Sequence, residues 1–194
     1  MNNSHTWIII IQSLTDNDLI KSGKGLSIDI EDMCKGSCDT VSEKYYEVSS
    51  KEELLLTLSN LSNNILHDGD SLILHIDSHG DECGIGLNHD FIFWEELFYY
   101  FSLLFEKTNH NLGLILSTCR ALYCTSIKRE NHVPCSALIA SNNIIHGGIA
   151  SLAFKKFYKE FVKSRSISKA FDALTAYYTW FEKENPFKLI LFEE

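Results

Sequence analysis

The chain has 194 residues, 45% of them hydrophobic and 12% aromatic, enough to bury a sizeable core within one domain over 1–194. A formal net charge of −9 with no basic stripe argues against a nucleic-acid binder. The opening run WIIII lacks the features of a signal peptide, and no apolar run approaches the roughly 18 residues of a membrane span, so a cytoplasmic protein without membrane contact is expected. Six cysteines in that setting read as reduced thiols rather than a disulfide framework.

In chain order, Thr6 to Leu14 is a β-branched, isoleucine-rich run that reads as a buried strand ending at a polar turn. Residues 15–40 are polar and glycine-containing and read as a long loop or flap, with room for a short strand at Leu26 to Ile30. A second strand is expected at Lys44 to Val48. Ser50 followed by Glu53 has the form of a capping box, opening a helix to about Ile65 that buries Leu54, Leu58, Leu61 and Ile65.

Asp68-Gly69-Asp70 marks a turn before the strand Ser71 to Ile76, and the segment around Asn88-His89-Asp90 reads as a small hairpin. Further expectations are a helix at Trp94 to Glu106, strands at Leu112 to Ser117 and Ser136 to Ala140, and helices at Ile149 to Lys163 and Ile167 to Glu184. Pro186 stops the last helix, and KLILF supplies a final strand. This alternation predicts a three-layer α/β domain whose mostly parallel central sheet is flanked by helices.

Two strands end on residues able to do chemistry: LILHIDSHG places His79 past one, and LGLILSTCR places Cys119 past the other. Ligand sites of open α/β sheets lie beyond the carboxyl ends of the strands, so neighbouring strands would bring these two side chains to one rim. A thiolate there attacks a carbonyl carbon while the imidazole accepts and returns a proton. Gly80 directly after the histidine leaves a backbone N–H accessible to an oxyanion.

Ser78-His79-Gly80, with acidic Asp81 and Glu82 following, resembles the histidine motif of caspases, and Ser117-Thr118-Cys119 occupies the place of their cysteine motif. The downstream stretch, with Phe157-Tyr158 in one helix and Ser168 to Ala173 opening the next, resembles the end of CHAT domains, the caspase-like peptidase family found widely in bacteria. The resemblance covers roughly residues 70–178. It implies a caspase-like sandwich and a cysteine endopeptidase that works through a thioester, with His79 as general acid/base and Cys119 as nucleophile. The oxyanion would be held by the N–H groups of Gly80 and Cys119. No cofactor or metal is implied.

The pattern departs from its relatives in places. The pair lies forty positions apart, against roughly 50 in caspases. Caspases carry Gln-Ala before the cysteine, and related arginine-specific peptidases place an acid two positions before it, where Ser117 stands here. A carboxylate for a basic P1 side chain is therefore sought at Asp77, Asp81, Glu82 or another loop acid, with Ser117 and Ser141 as further pocket residues. Arg120 follows the cysteine where many relatives have a small residue.

The implied partners are a protein substrate, such as a gasdermin-like pore-former or another antiphage-defence effector, and an activating protein. A reading of a different class is a non-catalytic caspase-fold interaction module that docks through exposed aromatics among Phe91, Phe93, Trp94, Phe98, Tyr99, Phe101 and Phe105. Three other features have plainer readings. Cys34 and Cys38 have zinc-site spacing but no second tight pair. His146-Gly147-Gly148 is a turn before a helix, and Gly23-Lys24-Gly25 lacks the pattern of a phosphate loop. His75 and His89 read as structural.

Overall fold

A computed structural model describes residues 5–14, 22–35, 40–126, 133–181 and 184–192. The centre is a sheet of strands β1 (Thr6–Ser13), β2 (Val41–Glu47), β3 (Ser71–Gly80), β6 (Leu112–Ser117), β7 (Ala137–Ser141) and β8 (Phe187–Leu191), in the spatial order β2-β1-β3-β6-β7-β8. The first five are parallel, and β8 closes one edge antiparallel to β7. The short strands β4 (Gly84–Gly86) and β5 (Phe91–Phe93) form a hairpin that pairs with the end of β3.

Helices cover both faces because the strands alternate their apolar side chains between them. On one face Ile9, Ile11, Leu72, Leu74 and Leu114 pack against α2 (Lys51–Asn60) and α3 (Trp94–Lys107). On the other, Ile8, Ile10, Ile73, Ile115 and Ile139 pack against α1 (Ser22–Lys35), α4 (Gly147–Ser164) and α5 (Ile167–Phe181). The expected three-layer architecture is therefore observed. Among the described residues, no helix is long and apolar enough to cross a membrane.

The largest correction is at 15–40. Residues 22–35 form α1 instead of loop, and Leu26 to Ile30 is helical instead of a strand; 15–21 and 36–39 lie outside the described residues. Only Leu26 and Ile30 supply large buried side chains, while Ser22, Gly23 and Ser27 complete the buried face. Such a small-residue face lets the helix lie close to β1. A Cβ on Gly23 would come within 2.7 Å of the Gln12 carboxamide oxygen.

Elsewhere boundaries move while the elements stay. The Ser50 hydroxyl caps α2 by accepting the Glu53 N–H at 3.2 Å, and the Glu53 carboxylate reaches back to the N–H of Ser50 as well as to the N–H and hydroxyl of Ser49. Asp90, in the hairpin turn, accepts the N–H of Lys51 at 2.9 Å and so ties that turn to the start of α2. Strand β3 runs four residues beyond the expected Ile76, and α4 begins at Gly147, with His146 at its N-cap.

Candidate active site

The site is built on strand register. Gln12 of β1, Asp77 of β3 and Ser117 of β6 stand opposite one another across three adjacent strands. His79 is two positions beyond Asp77, and Cys119 two beyond Ser117 in the turn after β6. His79 shares the α1 side of β3 with Asp77, and Cys119 lies in the turn where the adjacent strand β6 leaves the same rim. His79 is exposed and Cys119 half-buried.

Beneath them the polar row is tightly held. The Ser22 hydroxyl, opening α1, donates to the Asp77 carboxylate at 2.5 Å, and the N–H of Gly23 and the hydroxyl of Ser117 bond to it as well. Burial pushes the Asp77 carboxyl above its ordinary range, and these donors together with nearby His79 oppose the shift. Gln12 accepts the N–H of Lys24 at 3.2 Å through its side-chain oxygen.

Gly80 is fixed by close approach. A Cβ there would meet the Thr118 methyl at 2.4 Å and the Gly84 carbonyl oxygen at 2.6 Å. Its N–H direction follows from alternation along β3. The N–H of Ser71 bonds back toward β1 and that of Leu72 toward β6, so even-numbered residues face β6. Asp81 donates to the Gly84 carbonyl in the hairpin ladder. Gly80 thus turns its N–H away from the hairpin, to the side on which Cys119 lies.

Loops close around the cysteine. The N–H of Ile145, after β7, donates to the Cys119 sulfur at 3.4 Å, and the N–H of Arg120 donates to the Asn143 carbonyl at 3.1 Å. Arg120 occupies the left-handed region at φ 57°, an uncommon conformation for a side chain of this size. Its guanidinium pairs with the Glu82 carboxylate at 3.1 Å, joining the segment after β3 to the turn after β6. The Ser78 and Thr118 hydroxyls, at the neighbouring positions, meet at 3.1 Å.

Of the expected pocket residues, Asp77 and Ser117 lie in the row under the pair. Glu82 is engaged by Arg120, and Asp81 accepts the N–H of Cys83 at 2.7 Å within its own turn. Ser141 is fully buried and braces the loop after β7, accepting the N–H of Asn143 at 3.0 Å. Ser22, Gln12, Thr118 and Ile145 were not singled out by sequence. A signal existed for Gln12, a polar residue closing four consecutive isoleucines, but contacts between loops leave no local pattern.

His75 sits at the core of the α1 face, where its Nδ1 meets the Tyr158 hydroxyl at 3.0 Å and burial drives its pKa down to about 3. Burial also holds the thiols of Cys124 (up to about 12) and Cys135 in protonated form, Cys83 is exposed, and Cys38 is outside the described residues. No group of three or more His, Cys, Asp or Glu side chains suited to a metal ion forms among the described residues.

No protein-family model matches the chain, and no curated protein matches it. Among solved structures it is similar to the crystal structure of caspase-1 from Spodoptera frugiperda, with a TM-score of 0.66 at 11% identity, over 97% of this chain and 88% of that one. The chain has a caspase-like α/β sandwich fold.

Proposed function

We propose that this chain is a caspase-like cysteine endopeptidase of the bacterial CHAT type, acting in the cytoplasm. The observation that carries the reading is the placement of His79 and Cys119, each two residues past the registered pair Asp77 and Ser117, on adjacent strands of a caspase-like sheet. His79 takes the thiol proton of Cys119, and the sulfur attacks the scissile carbonyl carbon. The oxyanion is held by the N–H groups of Gly80 and Cys119. His79 then gives the proton to the leaving amine, a thioester remains, and a water that yields its proton to His79 releases the acid and regenerates the thiol.

A basic P1 side chain would be met by Asp81 or Glu82, the exposed carboxylates after β3, because Asp77 is buried and already bonded by Ser22, Gly23 and Ser117. The substrate is a protein, such as a gasdermin-like pore-former or another antiphage-defence effector, and an activating protein orders the loops. The test is labelling with peptidyl electrophiles bearing Lys, Arg, Asp or Ala at P1, mapped by mass spectrometry. Selective modification of Cys119 that disappears in His79→Ala is expected, with Lys or Arg preferred.

A second reading, a non-catalytic interaction module, is favoured by the exposed Phe91, Phe93 and Tyr99 on the hairpin and α3. It predicts that Cys119 labels no faster than exposed Cys83, whichever peptide is used.

A further inference from the structure

The outer surface of the α1, α4 and α5 layer carries a groove of about 850 Å³ that shares no residue with the rim. Ala173 and Ala176 of α5 are among its lining residues, and Trp180, one turn further along α5, stands beside them 80% exposed. Small side chains next to a projecting indole form a surface against which a second helix can approach closely.

The other wall is cationic. Lys156, Lys159 and Lys163 of α4 follow one another at spacings of three and four, along a single helix face. The Lys156 ammonium lies over the Tyr177 ring at 5.7 Å. Neither Lys159 nor Lys163 pairs with a carboxylate among the described residues, whereas neighbouring Lys155 meets Asp29 at 2.6 Å. Two acids also line the groove, Glu160 and Asp32, and Asp32 is engaged by Lys35 at 3.4 Å. In a chain of net charge −9, three aligned lysines facing an apolar floor are a local reversal of sign.

We propose that this groove docks an amphipathic acidic helix of a partner protein, its apolar side on Ala173, Ala176 and Trp180 and its carboxylates on Lys156, Lys159 and Lys163. From 173 to 180 the wall is roughly 11 Å long, enough for two turns of the guest. A membrane surface fits less well, because the lysines flank a concavity and the chain's net charge opposes an anionic bilayer. The docking is independent of the chemistry at the rim.

The experiment uses the full chain and a fluorescein-labelled four-turn helical peptide with Leu and Met on one face and Glu on the other, followed by anisotropy, beside a counterpart with Lys for Glu. Saturable binding of the Glu peptide alone is expected, weakening with salt and falling roughly tenfold or more in Trp180→Ala and in the Lys156→Glu, Lys159→Glu, Lys163→Glu triple variant. These side chains are at the surface, and unchanged circular dichroism would verify that the variants fold. Absent binding of the Glu peptide, equal binding of both peptides, or binding undiminished in the variants overturns the proposal. So does adsorption to phosphatidylserine vesicles without binding of the Glu peptide.

Discussion

Asp77 and Ser117 are side-by-side partners in the sheet, and the Ser117 hydroxyl bonds to the Asp77 carboxylate two positions before His79 on one strand and before Cys119 on the other. The sheet thus sets the position of histidine and cysteine, and the loops adjust the approach to them.

Because His79 is exposed and Cys119 half-buried, chemistry and stability should separate. Cys119→Ala and His79→Ala should each lower peptidase activity by roughly a hundredfold or more, with thermal midpoints within a few degrees of the parent. Activity assays beside calorimetry check this. Retained proteolysis in purified Cys119→Ala would end the endopeptidase reading.

Gly80→Ala is expected to destabilise by roughly 1–3 kcal/mol, since the added methyl collides with the Thr118 methyl and the Gly84 carbonyl. Adding Thr118→Ser removes one obstacle and keeps the hydroxyl contact with Ser78, so part of the loss should return in urea unfolding. No recovery would make the carbonyl the dominant obstacle.

His75 gives the acid limb of stability a definite sign. Its pKa is about 3 in the fold against an ordinary 6.5, so the unfolded chain takes up a proton that the folded chain refuses between these values. The contribution is full above pH 6.5 and is lost as pH falls toward about 3, at about 1.4 kcal/mol per pH unit. Asp77, with a raised carboxyl, has the opposite slope above its ordinary 3.8 and blunts the lower end. His75→Phe should flatten the acid limb of thermal midpoint against pH, and an unchanged slope would assign it to other groups.

The Arg120–Glu82 pair is half-exposed and should contribute less than about 1 kcal/mol to stability. Arg120→Gly relieves left-handed strain of about 1–2 kcal/mol while releasing the tether between the two loops. Stability is therefore expected to hold or rise as the rate of Cys119 labelling falls. Glu82→Gln should slow labelling without the gain, and equal labelling rates in all three proteins would remove the pair from any role at the rim.

Most of the sheet was legible because the strand runs are long, apolar and bounded by turn residues, and the order of strand, histidine, helix, strand and cysteine could be read directly. Helix α1 was not, because its buried face is built from Ser22, Gly23 and Ser27, residues that composition assigns to loops. The end of β3 was placed too early because Asp77 and Ser78 look like a turn, yet both are buried in the strand. The engagement of Glu82 by Arg120 joins residues 38 positions apart through two loops, and no periodicity encodes such a contact.

Side-chain direction along a strand has only two values, and that makes the placement of the proposed pair indifferent to the length of chain between its strands. Lengthening the connection from Asp81 to Asn111 would leave His79 and Cys119 at the same rim, whereas a one-residue slip of β3 against β6 would send the imidazole through to the other side of the sheet. Damage to the scaffold should then switch the pair on or off as a unit, and graded activity among variants should trace to the segments around Arg120 and Asn143.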